Sequence, residues 1–414
     1  MEDKKIVIIG AGVSGLVAAI NLEKAGYKPV IYDKKDRVGG RVQTDYIDGE
    51  ILDKGFQVLL PNYPAVQKYL NLELLHLKYF TSGAFVFKKD FNGKLGNPSR
   101  DFDLLFPTLF SKLASLPDKL KILNLARKLS KKPFDEIFRE KSKTTIDYLK
   151  DYGFSEKVIA NFFKPFFAGI FLEDELKTSS RMFEFTFKLF SSAKAGIPEK
   201  GIQATPNQLA NRLRNTTFHF NTSIESVVNE KIIFSDGKET KADFIIIATD
   251  PSPLISNLNN QKSEWKKVDT LYFEVNNRVI NLPMIGLIAE EDALINNFHY
   301  LKLASDLKQI ISVSVIKTHN LSDVQLVERV RKELIEICEI EVVELIKHYK
   351  IPQALPDIMD VNYQIPHTET KLKDNIFLAG DVLSNGSLNA AMLNGESAAK
   401  AVIEHVNGLT LDMA

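Results

Sequence analysis

The hydrophobic pattern changes period several times along the chain, and each change predicts an element. Lys5 to Ile9 (KIVII) is an unbroken β-branched run, the mark of a strand buried on both faces of a parallel sheet. A glycine-rich turn follows, then Ser14 to Ala25 at helical spacing, and GYKPVIYD supplies a second strand ending at Asp33. The buried-strand pattern returns at 242–248 (ADFIIIA), after a strand and hairpin over 217–234 closed by Asp236 and Gly237, and again in NIFLAGD at 375–381. VDTLYFEVNN, PMIGLIA and QIISVSVIK predict further sheet strands. Helices are predicted from Asp103 to Lys150, with breaks near Pro107, Pro117 and Pro133, over 323–340, and from about Leu388 or Asn389 to the terminal region. Strands alternating with helices make the fold class α/β.

Composition narrows the function classes. With 414 residues, of which 44% are hydrophobic and 26% charged, the chain can bury large cores and has the length of two or three domains. Lys plus Arg and Asp plus Glu each number 53, so no net charge draws the whole molecule to nucleic acid. The one cysteine, Cys338, excludes an intrachain disulfide and reads as a small buried apolar residue. The seven histidines form no HExxH or other metal-ligand spacing, so no metal is expected. No signal-peptide core and no apolar run of spanning length is visible, which sets a cytoplasmic location as the expectation. Residues 112–143 carry ten Lys or Arg against four Asp or Glu, a cationic helical surface that suits either solvent or peripheral contact with lipid headgroups.

The strongest chemical signal is GAGVSG, placed directly between the first strand and its helix. Gly10 turns the chain, Gly12 lets the backbone approach a pyrophosphate, Gly15 allows close helix packing, and Val13 and Ser14 open the helix whose amino end receives the phosphates. Asp33, followed by Lys34, stands near the spacing at which a carboxylate hydrogen-bonds the adenosine ribose. Strand, glycine turn, helix, strand and acid in register predict a dinucleotide site.

The residues beyond Asp33, DKKDRVGGRVQTDYIDGEILDKGFQVL, resemble the FAD domain of glutathione-reductase type as used by the flavin amine oxidase, phytoene desaturase and protoporphyrinogen oxidase superfamily. The resemblance implies FAD, with Gly39, Gly40 and Arg41 passing the pyrophosphate and ribityl region, and with Gly55, Phe56 and Gln57 beside it. It also implies a backbone contact of Val227 with adenine, an approach of the turn at Ala248 to the dinucleotide, and a ribityl contact from Asp381 after Gly380. The helix mouth at Leu388, Asn389, Ala390 and Ala391 would then face the pyrimidine side of the flavin. Two departures from the family pattern stand out: Asp33 replaces the commoner glutamate, and GSLNAAMLNG replaces a commoner glycine and serine pattern.

The same resemblance implies a discontinuous FAD domain over 1–60, 200–255 and 365–414, interwoven with a mixed α+β substrate domain over 61–199 and 256–364. Ten phenylalanines between 154 and 190 supply either an aromatic core or an apolar pocket that excludes water. Together they favour an apolar or ring-rich small-molecule substrate. Tyr349, Gln353 and Tyr363 are candidate pocket residues in a stretch that resembles pocket borders of relatives, with packing as the equal alternative. The expected reaction is hydride transfer from a C–H bond to FAD, as oxidation or desaturation, with oxygen or another acceptor restoring the cofactor. The alternatives are C–N oxidation by a flavin amine oxidase and a noncatalytic interaction protein on the same scaffold. No residue is assigned as catalytic acid or base.

Overall fold

The computed structural model describes residues 4–97, 101, 104, 108, 111–258, 263–302 and 309–408. Much of the helical stretch expected around Pro107 lies outside them. The fold is α/β and rests on two large sheets that draw on different stretches of the chain.

The first sheet has six strands in the order Lys371–Lys373, Ile376–Leu378, Phe244–Ile247, Ile6–Ile9, Val30–Tyr32, Thr217–His219. All but the first are parallel. Ile6, Val7 and Ile8 have no exposed surface, as the uninterrupted β-branched run requires of a strand covered on both faces. The helices Val13–Lys24 and Leu388–Val406 cover one face and touch backbone to backbone. A Cβ on Gly395 would fall 2.2 Å from the Ser14 carbonyl oxygen, and one on Gly15 would fall 2.0 Å from that of Gly10. Only glycine permits this approach, which fixes where both helices begin relative to the strand ends.

The second sheet has seven strands, in the order Val342–Pro356, Trp265–Val275, Gln309–Val315, Ile295–Tyr300, Ile285–Ile288, Gly83–Phe87, Asn92–Gly96. Alternation decides its two faces. Leu271, Phe273, Val313 and Val315 pack under Leu326, Val330 and Leu334 of the helix Asp323–Cys338, where Cys338 is also buried. Burial pushes the Cys338 thiol pKa up, so it is an inert core group. The opposite face carries Val268, Ser314, Asn297 and Leu287 toward a cavity. Pro352 stands inside the fifteen-residue strand Val342–Pro356; the strand is at the sheet edge, where a missing N–H costs no ladder bond.

Helices form the remaining wall. The helix Leu116–Lys131 starts at Ser115, which forms a capping box with Asp118; Pro117 sits in the first turn and does not break the helix. Pro133 caps the next helix, Phe134–Arg139. A five-residue π turn, Ile159–Phe163, leads into the helix Lys164–Phe171, and the helix Ser180–Ser192 packs behind. Lys132 and Glu184 form a buried ion pair at 2.7 Å, with the Tyr148 hydroxyl donating to the other Glu184 oxygen at 2.8 Å. Among the described residues, no helix is long and apolar enough to cross a membrane, and no cluster of three metal-ligating side chains is present.

Candidate functional site

A cavity of about 960 Å³ opens at the carboxyl ends of the parallel strands and continues beneath the second sheet. Crevices at such strand ends are where open α/β sheets hold ligands. At one end the wall is backbone. Gly10 has φ +108°, and a Cβ there would press on the Ala248 carbonyl at 3.0 Å. The Cβ position of Gly12 meets only the Gly40 Cα, at 4.0 Å, so the two glycines border open space. The helix Val13–Lys24 has no side-chain cap, and its first-turn N–H groups lack helical partners. Ser14 lines the cavity with its buried hydroxyl unpartnered among the described residues. This is a ready anion cradle.

Asp33 lies at the cavity wall, its carboxylate accepting from the Ala11 N–H at 2.7 Å and the Lys35 N–H at 2.8 Å. The backbone thus fixes its orientation. Burial lowers the Lys35 ammonium pKa, with Asp33 opposing that shift, and Lys35 donates to the Gly40 carbonyl at 2.7 Å.

Farther along, Gly380 turns at φ +138° and presents the buried Asp381. Asp381 is ion-paired to Arg41, whose guanidinium lies 5.0 Å from the Trp265 ring centroid and donates to the Ala354 carbonyl at 3.3 Å. Gln57 holds the loop by donating to the Arg41 and Lys54 carbonyls, each at 3.1 Å. Ser387 caps the helix Leu388–Val406: its hydroxyl accepts from Ala390 N–H at 3.0 Å and its carbonyl from Ala391 N–H at 3.0 Å.

The far part of the cavity is apolar. Of the ten phenylalanines between 154 and 190, Phe162, Phe166, Phe167, Phe171, Phe187 and Phe190 line it, whereas Phe154, Phe163, Phe183 and Phe185 fill the core behind. The sheet above carries a polar stripe, of which Ser314 and Asn297 line the cavity. Thr270, Ser314 and Asn297 pair across three strands, as do Tyr272, Ser312 and His299 one step along. Buried atoms of Thr270, Ser312, Asn297 and His299 have no partner among the described residues. A chain of amides orients Asn297: Asn296 donates to the Pro165 carbonyl at 3.1 Å, so its oxygen must accept from Asn297, at 2.7 Å. The Asn297 oxygen is therefore a fixed acceptor. Burial depresses the His299 pKa to about 3, keeping it neutral, and raises that of Asp53 to about 6.

Of the residues singled out from sequence, Gly10, Gly12, Val13, Ser14, Asp33, Lys34, Gly39, Gly40, Arg41, Gly55, Phe56, Gln57, Ala248, Gln353, Gly380, Asp381, Leu388 and Ala391 line this cavity. Six do not. Gly15 lies in the helix contact already described. Val227 points into the core, its N–H bonded to the Leu254 carbonyl; Ile224 and Glu225 of the same strand are at the wall. Asn389 is buried and accepts from the Ala65 N–H, while the Ala390 N–H is taken by the Ser387 cap. Tyr349 donates to Asp45 at 3.0 Å, and Tyr363 stacks with Phe134 in the helical wall. Lining residues absent from the sequence reading include Lys35, Lys54, Ile224, Glu225, Trp265, Lys266 and Asn297. The lone tryptophan was the one visible signal among them.

Comparison with known proteins gives a consistent picture. The profile of the family described as "Flavin containing amine oxidoreductase" matches residues 13–403. The "Probable polyamine oxidase 4" of Arabidopsis thaliana is 46% identical over 50 residues, 12% of this chain and 10% of that protein. The "Probable zeta-carotene desaturase" of Synechococcus elongatus is 23% identical over 305 residues, 65% of this chain and 63% of that protein. The matched region therefore spans less than two thirds of either relative. A crystal structure of an oxidoreductase from Methanosarcina mazei superposes with a TM-score of 0.74 at 18% identity, covering 96% of this chain and 100% of that one. At that identity the likeness shows the fold alone.

Proposed function

The chain belongs to the family of flavin-containing amine oxidoreductases, and on that basis we propose that it is an FAD-dependent oxidoreductase acting on an apolar or ring-rich substrate. The observation that carries this reading is the continuity of one cavity from the glycine cradle at Gly10, Gly12 and Ser14 to the phenylalanine chamber. The residues present fit FAD. The open space at Gly12 and the unpartnered Ser14 hydroxyl suit a pyrophosphate, Asp33 suits the adenosine ribose, and Asp381 suits the ribityl chain. The same reading assigns 1–60, 200–255 and 365–414 to the FAD-holding part and 61–199 and 256–364 to the substrate-holding part.

FAD, when bound, supplies the hydride acceptor. The protein's part is orientation, electrostatics and exclusion of water. Arg41 holds Asp381 in place through their ion pair. Ser387 engages Ala390 and Ala391, so the remaining positive helix mouth at Leu388 and Asn389 would stabilise negative charge nearby. The phenylalanines keep the reacting C–H bond away from solvent.

The matched desaturase and polyamine oxidase names suggest two substrate classes, a polyene and an amine. The acidic lining residues Asp33, Glu225, Asp250 and Asp381 all come from segments around the parallel strand ends, and the phenylalanine chamber contributes no carboxylate. A cationic amine would lack a counter-charge there, which favours the apolar class. The test is anaerobic mixing of the FAD-loaded protein with a polyene, a reduced tetrapyrrole and a polyamine, followed by flavin absorbance and product mass. Bleaching with loss of two hydrogens from an apolar compound supports the reading. Bleaching by the polyamine alone shifts it to amine oxidation, and bound FAD with no bleaching by any class favours the noncatalytic scaffold.

A further inference from the structure

We propose that the outer face of the helix Leu116–Lys131 is a docking surface for an anionic lipid bilayer. Leu116, Leu120 and Leu123 recur at helical spacing and are 59%, 60% and 46% exposed. No other element among the described residues exposes three large apolar side chains. Farther along, Arg127, Lys128 and Lys131 are exposed, and Lys112 is exposed just before the helix. The helix has one acid, Asp118, and it faces inward: it is 1% exposed, and its carboxylate accepts from the Ser115 and Ser155 hydroxyls at 2.5 and 2.7 Å. The outward face is thus leucine bordered by cations that form no salt bridge among the described residues, the composition of an interfacial helix.

Charge and area choose the occupant. A second copy docking through the same face would bring the cations of both copies into one interface, where this face offers no carboxylate to pair them. Three leucines also fall well short of the roughly 800 Å² per partner of a stable protein interface. A bilayer meets both requirements, with acyl chains for the leucines and anionic headgroups for the cations.

The position of the face gives docking a purpose, which rests on the functional reading above. Leu113, just before the Ser115 cap, is buried in a cluster with Leu95, Leu287, Phe162 and Phe166, all four of which line the apolar end of the cavity. The helix itself packs on Ser180–Ser192, whose Phe187 and Phe190 line the same chamber. A membrane-dissolved substrate would be held beside that wall.

The test is co-sedimentation of the purified full chain with phosphatidylcholine vesicles and with vesicles that also contain phosphatidylglycerol. No turnover is needed, so the result is independent of whether the proposed reaction is correct. The wild type is expected to bind the anionic vesicles, and to do so more weakly in high salt. The double variant Leu120→Ser, Leu123→Ser should bind about tenfold more weakly or worse. The double variant Arg127→Gln, Lys131→Gln should lose about fivefold per charge on anionic vesicles and nothing on neutral ones. All four side chains are exposed, so unchanged melting should accompany both variants; if either melts early, Leu116→Ser repeats the measurement. Absence of vesicle binding, equal binding by wild type and variants, or a leucine-dependent dimer in light scattering without vesicle binding would each overturn the proposal.

Discussion

Replacing Asp381 separates ligand holding from folding, because its ion-pair partner sits partly in solvent. The Asp381 side chain is 8% exposed, while that of Arg41 is 36% exposed and also contacts the Trp265 ring and the Ala354 carbonyl. In Asp381→Ala the guanidinium keeps those contacts and gains water, so the cost to the empty fold should be about 1 kcal/mol. The cost to FAD should be larger. Loss of a charged hydrogen-bond acceptor is worth roughly 1.5–3 kcal/mol, a fall in affinity of about 10- to 150-fold. Asp381→Asn retains an acceptor and should lie between the two. Flavin fluorescence titration of the stripped proteins gives the affinities, and melting with and without excess FAD gives the fold term. Unchanged affinity in both variants would refute the assignment. So would a melting loss that saturating FAD fails to recover, since that would make Asp381 a structural residue.

Further outcomes follow from the same geometry. Gly12→Val should leave the empty protein folded, because φ is −71° and only Gly40 lies within reach of the new Cβ, yet abolish FAD retention; retained FAD after gel filtration would contradict it. His299, buried neutral with its pKa at about 3, binds no proton in the folded state while the unfolded chain binds one below about 6.5. Stability should therefore fall as the pH drops below that value, by about 1.4 kcal/mol per pH unit from this group, and His299→Phe should flatten the slope in urea titrations. Asp53, with its pKa raised to about 6, acts in the opposite sense: its contribution is full below about 3.8 and is lost as the pH rises through 6, so Asp53→Asn should steepen the acid loss between those values. Glu184→Gln removes one of the two carboxylates paired with the buried Lys132 and leaves the more exposed Glu140 at 2.9 Å, so it should destabilise by about 1–3 kcal/mol in chemical denaturation.

Local rules made one end of the site legible in the sequence. Gly10, Gly12, Gly15 and Asp33 act through backbone conformation and spacing within one strand, helix and strand unit, so their positions relative to one another follow from the chain alone. The long buried runs and the start of the last helix at Leu388 are legible for the same reason. What escaped depends on pairing between distant segments. Arg41 meets Asp381 and Trp265 only because three separate stretches converge. Val227 rested on the resemblance alone, and in the strand Ile224–Val228 it is Ile224 and Glu225 that reach the wall, which depends on how that strand packs against distant segments. The polar stripe of Thr270, Ser312, Asn297 and His299 interrupts strands that otherwise read as apolar, and its meaning appears only when three strands lie side by side.

The central claim is that the glycine cradle and the acid at Asp381 hold FAD. Its most direct test is to purify the chain, incubate it with excess FAD and NAD together, remove unbound cofactor, denature, and identify what is released by mass. The account predicts stoichiometric FAD from the wild type and almost none from Gly12→Val. Recovery of NAD alone, or of no flavin from a well-folded wild type, would contradict it.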